Sequence, residues 1–305
     1  MEQNKPGLWR HITDFFHFTE PEGRAPAAIK KGFWYRFVRN PKAMIGGIFL
    51  VVEILLVVLL PLIQGLDPDA IDMGALNKYP SSDHILGLTD SYQDVYARLV
   101  YGGQTSLIVG LLSTVIGMVI GVPLGLIAGY FGGKVDAVIM RTSEIFISFP
   151  SMVLMLLLAV IFGSNVWVVA AVIGFLGWPS VTKLIEGSAL SVSKKEYIEA
   201  ARTLGKSNTS ILFRDILPNV ITPVLVTVPF RVSGAIIAEA SLSFLGLGME
   251  NSWGKSINYA MSPNVMMTEP WIWVPATVML FVTVVAINLL GEGIRDVADP
   301  KLGKR

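Results

Sequence analysis

Cysteine is absent from the 305 residues, and histidine occurs only as His11, His17 and His84. A disulfide framework is therefore impossible, and a Cys/His zinc site has no ligands to use. Charge is scarce as well, at 15% of residues against the roughly 25% of an ordinary soluble domain. Lys and Arg (24) nearly balance Asp and Glu (23), so a net charge of +1 gives no overall field to draw nucleic acid. What fills the chain instead is apolar: 52% hydrophobic residues and a mean hydropathy of +0.59. Such a composition excludes disorder and points to an all-α, polytopic membrane protein embedded in a lipid bilayer.

Six apolar runs are long enough to cross about 30 Å of hydrocarbon. They are Met44 to Ile63, Leu107 to Tyr130, Ile145 to Phe162 with a backward extension from Ala137, Val166 to Ile185, Val220 to Leu247, and Trp271 to Leu290. Six transmembrane helices put both termini on one side. Twenty of the 24 basic residues fall in the segments of that side, whereas the first opposite loop sets Asp67, Asp69, Asp72, Asp83, Asp90 and Asp94 against Lys78 alone. The positive-inside rule then predicts cytoplasmic termini. The expected division is a cytoplasmic N-terminal segment at 1–43, a six-span domain at 44–291 and a cytoplasmic tail at 292–305. The first segment has no cleavable signal. Its aromatic residues alternate with basic ones, a pattern met equally by an interfacial helix on the inner leaflet and by a basic tail that only sets topology.

The second span carries Ser113, Gly117, Gly121, Gly125 and Gly129 at every fourth position. One smooth stripe of this kind lets a second helix approach closely, so this span is expected inside a bundle. Pro123, Pro223 and Pro229 are expected to kink their helices.

A polar link at 186–218 is longer than two neighbouring helices need. Ser193-Lys194-Lys195-Glu196 reads as a capping box opening a short helix, on which Tyr197, Ala200, Ala201 and Leu204 form one narrow apolar face. Gly205 ends that helix, and a second short helix runs from about Asn208 to a stop at Pro218. A helix presenting two alanines beneath a membrane domain suits a groove in another protein.

Glu199-Ala200-Ala201, Gly205 and Leu217-Pro218, placed before the fifth of six spans, resemble the EAA loop of ABC importer permeases. Further stretches are similar to the C-type permease of the dipeptide/oligopeptide/nickel family: Arg39-Asn40-Pro41-Lys42, Gly87-Leu88-Thr89-Asp90, Phe244-Leu245-Gly246-Leu247-Gly248, Asn288-Leu289-Leu290-Gly291-Glu292-Gly293 and Asp299-Pro300-Lys301-Leu302. The resemblance implies a type I ABC importer permease fold in a bacterial cell membrane. It further implies a homologous B-type permease as heterodimer partner, an extracytoplasmic solute-binding protein, a peptide substrate, and two ATPase subunits that bind ATP and Mg. Glu199, Ala200, Ala201, Leu204, Gly205, Leu217 and Pro218 would couple to those ATPases, and this chain would bind no cofactor and carry no catalytic residue. Two positions depart from the family pattern. Tyr92-Gln93 stand before Asp94 where Gly-Arg is frequent, and Asp215 stands where many relatives have His.

Near-matches to a phosphate-binding loop fail. Gly205-Lys206-Ser207 has Ala200 in place of the leading Gly and follows a helix, and Gly254-Lys255-Ser256 has Met249 there. Met266-Met267, without His or Cys, reads as packing rather than metal capture. Charges within spans each cost about 2.5 to 3.5 kcal/mol or more at the helix centre. Arg231 is too far from Glu239 to pair with it, so it is expected to face a water-filled path or a neighbouring chain. Glu53 is read as structural, and Arg141 with Glu144 as a pair across one turn. The same motifs fit importers of nickel, opines or glutathione. An ion-coupled secondary transporter would instead call for inverted repeats or a discontinuous helix pair.

Overall fold

A computed structural model describes residues 33–75 and 77–298. Of the expected N-terminal interfacial helix only 33–39 falls within these residues; the rest of it and the Asp299-Pro300-Lys301-Leu302 stretch lie outside them. Helices α1 (Phe33–Arg39) and α2 (Pro41–Gln64) are followed by α3 (Val95–Phe131), α4 (Gly133–Ser148), α5 (Ser151–Phe162), α6 (Val166–Ser193) and the short α7 (Glu196–Thr203). Then come α8 (Asn208–Phe244), α9 (Trp253–Asn258), α10 (Pro263–Thr268) and α11 (Pro270–Ala298). Among the described residues the only extended pairings are two isolated bridges, Ile71 with Gln93 and Leu88 with Asp94.

Among the described residues five helices, α2, α3, α6, α8 and α11, are each long and apolar enough to cross a membrane. The expected third span is instead broken: α4 and α5 meet at an angle of 83°. Pro150 supplies no N–H and disfavours a helical Phe149, which sits extended at φ −80°, ψ 140°. Counting that bent pair as one crossing gives the six spans expected, one of them discontinuous. The other departures are at helix ends. Helix α6 runs eight residues beyond Ile185, and α11 runs from Pro270 to Ala298, through residues assigned above to the tail.

Pro218 does not stop a helix. One continuous α8 passes through it, because the preceding Ile211–Ile216 is wound as a π-turn in which the Leu217 N–H reaches the Leu212 carbonyl. That one-residue slip, with the Asn219 amide donating to the Asp215 carbonyl at 2.6 Å, accommodates the missing proline donor.

The glycine stripe does what its spacing predicts. A Cβ added to Gly121 would fall 2.5 Å from Val181 Cβ, one on Gly125 2.6 Å from Ile185 Cβ, and one on Gly129 2.6 Å from the Glu186 carbonyl. Helices α3 and α6 therefore touch backbone to side chain along most of their length. With 37 residues, α3 is about 55 Å long and outreaches the hydrocarbon core by about 25 Å. With the α7 end of α3 labelled inner and the α9 end outer, it joins an inner apolar cluster, centred on Leu126, Ile185, Ile198, Ile211 and Ile216, to an outer one around Val109, Val169, Ile173 and Leu242.

Candidate functional site

At the inner end of α3, helix α7 is anchored by one deeply buried side chain. Ile198 is fully buried in the inner cluster, and Ala201 packs against the edge of that cluster. Tyr197, Glu199, Ala200 and Leu204 remain exposed, Leu204 at 86%. The narrow face read from the sequence is thus split: Ala201 turns inward, while Tyr197, Ala200 and Leu204 stay bare. Ile198 was missed because a single isoleucine between Tyr197 and Glu199 falls off the face read from the sequence.

The capping box does not form. Helix α6 continues to Ser193, whose hydroxyl donates to the Gly129 carbonyl (3.1 Å) and the Leu190 carbonyl (3.0 Å), and the N-cap of α7 is Lys195 without a side-chain bond. Glu196 and Glu199 still place negative charge in the first turn, which suits the helix dipole. The far end follows the expectation. Gly205 is left-handed at φ +76°, its N–H bonds the Arg202 carbonyl, and the Lys206 N–H bonds the Ala201 carbonyl, completing a Schellman cap. The unusual Asp215 braces this turn through Lys206 Nζ at 2.6 and 2.8 Å. Leu217 is half-buried against the inner cluster and Pro218 is exposed on α8. Tyr130 of α3 ties the loop down: its hydroxyl donates to Asn208 Oδ1 at 2.8 Å, and the Arg202 guanidinium lies 4.4 Å above its ring.

Arg231 lines a cavity of about 380 Å³ among α3, α5, α6 and α8, with Ser113, Thr114, Ser151 and Gly177. Its guanidinium donates to Ser180 Oγ at 3.1 Å. The other charges are accommodated within the chain. Glu239 is fully buried and accepts from Ser106 (2.8 Å) and Ser243 (2.7 Å), the buried Glu53 accepts from Thr283, and Arg141 pairs with Glu144 at 2.8 Å.

At the outer end the chain builds a cap. Asp94 accepts from the Tyr96 and Ala97 N–H groups and so starts α3, while its second oxygen meets His84 Nδ1 at 2.7 Å; His84 Nε2 meets Asp72 at 3.1 Å. Asp94, and then Asp72, hold the imidazole pKa above its ordinary value against the opposing effect of burial. The His84 hydrogen bond pulls Asp72 below the usual carboxylate range. Tyr92 stands at φ +57°, a left-handed turn in which the frequent glycine would sit at ease. Its neighbour Gln93 takes a bond from Arg98 at 2.8 Å.

Three of the family stretches lie at joints of this fold. Asn40 caps α2, and Gly246 at φ +81° closes α8 in a second Schellman turn. Gly291 and Gly293 admit Phe230 and Ala43 against α11. Residues 121–304 match the family described as binding-protein-dependent transport system inner membrane component, and residues 31–80 match the N-terminal TM domain of oligopeptide transport permease C. The glutathione transport system permease protein GsiD of Pectobacterium atrosepticum is 36% identical over 88% of this chain and 90% of its own length. The oligopeptide transport system permease protein OppC of Bacillus subtilis is 33% identical over 91% of both. Among solved structures, the MetNI methionine ABC transporter in an inward-facing conformation shares the fold at a TM-score of 0.55 and 20% identity, covering 66% of this chain and 96% of that one. The chain therefore belongs to the binding-protein-dependent transport system inner membrane component family: it is an all-α, multi-pass inner membrane permease of an ABC importer, not an enzyme.

Proposed function

We propose that this chain is the C-type permease of an importer for di- or oligopeptides, and that α7 couples it to the ATPases. It forms half of the pathway with a homologous B-type permease, receives cargo from an extracytoplasmic solute-binding protein, and has both termini in the cytoplasm. The carrying observation is the bare Tyr197–Ala200–Leu204 face on a helix otherwise anchored by Ile198 and closed at Gly205. An exposed leucine beside a small alanine, on a helix pinned to the bundle from behind, suits insertion into a partner's groove. Two ATPase subunits, binding ATP and Mg, would push on α7, and that motion would pass through Tyr130 and the inner cluster to α3, α6 and α8, giving alternating access.

The test is the whole importer reconstituted in liposomes. Gly205→Val forces a β-branched residue into a left-handed turn, and Ala200→Asp places a carboxylate on the docking face. Both variants are expected to insert and pair normally, with uptake below a tenth of the parent's and binding-protein-stimulated ATP hydrolysis uncoupled or lost. Ala201→Asp is the less informative variant, because Ala201 packs inward. Parental uptake in both Gly205→Val and Ala200→Asp would remove α7 as the coupling element. Reduced glutathione competes with the peptide reading of cargo, given the GsiD relative, and belongs in the same assay beside a labelled tripeptide.

A further inference from the structure

We infer that the cavity around Arg231 is an anion subsite that takes the carboxylate of the cargo in transit; its cargo half rests on the peptide reading above. Three observations converge there. Arg231 lies in α8 and faces Ser113 and Thr114 at the midpoint of the 37-residue α3, so the cavity is at the middle of the bundle's depth. Among the described residues no carboxylate lies within ion-pairing distance of its guanidinium, whose hydrogen-bond partner is the neutral Ser180 hydroxyl of α6. The walls offer no competing base. The Ser113 and Thr114 hydroxyls donate to carbonyls of their own helix, and Ser180, which donates to the Gly177 carbonyl, holds one guanidinium nitrogen and leaves the other N–H groups of this cavity-lining arginine without a partner among the described residues.

The break at Phe149–Pro150 makes this space. It turns α5 away from α4 by 83° and sets Ser151, the first residue after the bend, on the cavity wall. Gly177 and Gly234 add no side chain at two further points of the wall. A volume of about 380 Å³ falls within the range of small-molecule sites and admits a short peptide end, whereas guanidinium matches carboxylate in bidentate geometry. Every unmodified peptide carries a C-terminal carboxylate, so one arginine serves cargo of any sequence.

Two measurements on the complete importer test this. Because the chain has no cysteine, Ala238→Cys on the cavity wall is its single thiol. It is labelled with anionic 2-sulfonatoethyl methanethiosulfonate and with cationic 2-(trimethylammonium)ethyl methanethiosulfonate, with Arg231 intact and as Arg231→Gln. The anionic-to-cationic rate ratio should fall more than tenfold in Arg231→Gln; an unchanged ratio overturns the anion subsite. The second measurement is liposomal uptake of labelled trialanine. The binding protein captures cargo before Arg231 meets it, so Arg231→Gln should lower maximal uptake at least tenfold while half-saturation stays within twofold, and Arg231→Lys should restore most of it. Unchanged uptake, or a complex that no longer assembles in Arg231→Gln, overturns the transit role, the latter in favour of a pair with the partner permease. If the labelling ratio collapses but the parent accumulates neither trialanine nor glutathione, the anion subsite stands and the peptide reading falls.

Discussion

The two ends of α3 are built on opposite plans. Its outer end is clamped by its own chain: the buried Arg98 donates to the Glu250 carbonyl at 2.7 Å, and the fully buried Trp253 donates to the Leu99 carbonyl at 3.0 Å while lying across Gly102 and Gly103. Its inner end meets α7 and the start of α8 through Tyr130, and beyond that contact lies the exposed face of Tyr197, Ala200 and Leu204. One rigid helix thus has a finished end and an end with an uncovered surface. That asymmetry, a fixed outer architecture and a bare inner surface, is what the coupling role proposed for α7 requires.

The strongest way to break the comparison is Trp253→Ala. It empties the seat against Gly102 and Gly103 and leaves the Leu99 carbonyl without its indole donor, a loss of about 3 to 5 kcal/mol. Thermal unfolding of the detergent-solubilised complex should show a large drop, and Trp253→Phe should recover most of it, short by about 1 kcal/mol for the hydrogen bond. An unchanged transition in Trp253→Ala would mean that the outer end is not the clamp.

At the inner end the effect should be smaller and of a different kind. Tyr130→Phe keeps the ring under Arg202 but loses the bond to Asn208, about 1 kcal/mol. Stability should barely change, while amide exchange in residues 196–210 rises. If exchange there matches the parent's, the loop is held by Ile198 and the Schellman turn alone.

How much of this was legible in the sequence depended on the range of the signal. Repeats at every fourth residue marked the face of α3 that another helix covers, though not that the helix would be α6, because close packing writes itself as spacing along one chain. Gly205 marked a helix end for a local reason, its left-handed backbone. The broken span was not read, although Pro150 lies in it: proline kinks of every size look alike in sequence, and the 83° turn depends on what α6 and α8 leave open. Ser193 misled for a related reason. Its local pattern fits a capping box, yet the carbonyl of Gly129, 64 positions away, competes successfully for the hydroxyl. Ile198 and the His84 bridge were invisible because each depends on partners distant in sequence or unmarked by periodicity.

The finest distinction between the two ends is in pH response. His84 joins Asp94, which starts α3, to Asp72 in the preceding loop, and its folded pKa is raised above the ordinary 6.5 by those carboxylates. Stability from this bridge is therefore fully present below about 6.5 and is lost as pH climbs through the higher folded value. Asp72 has the opposite sign: its contribution is present above its ordinary value of 3.8 and is lost as pH falls through the lowered folded one. Between those limits the cap is tightest. The inner loop at 196–210 contains no histidine, the side chain that changes charge near neutrality. Hydrogen exchange of residues 71–96 in the intact complex, followed from about pH 5 to about pH 8 and corrected for intrinsic rates, should show protection falling with alkalinity while residues 196–210 stay level. His84→Gln should remove the slope and leave the outer segment less protected at the acid end. A slope that survives His84→Gln would assign the pH response to some other group and reduce the bridge to a neutral hydrogen bond.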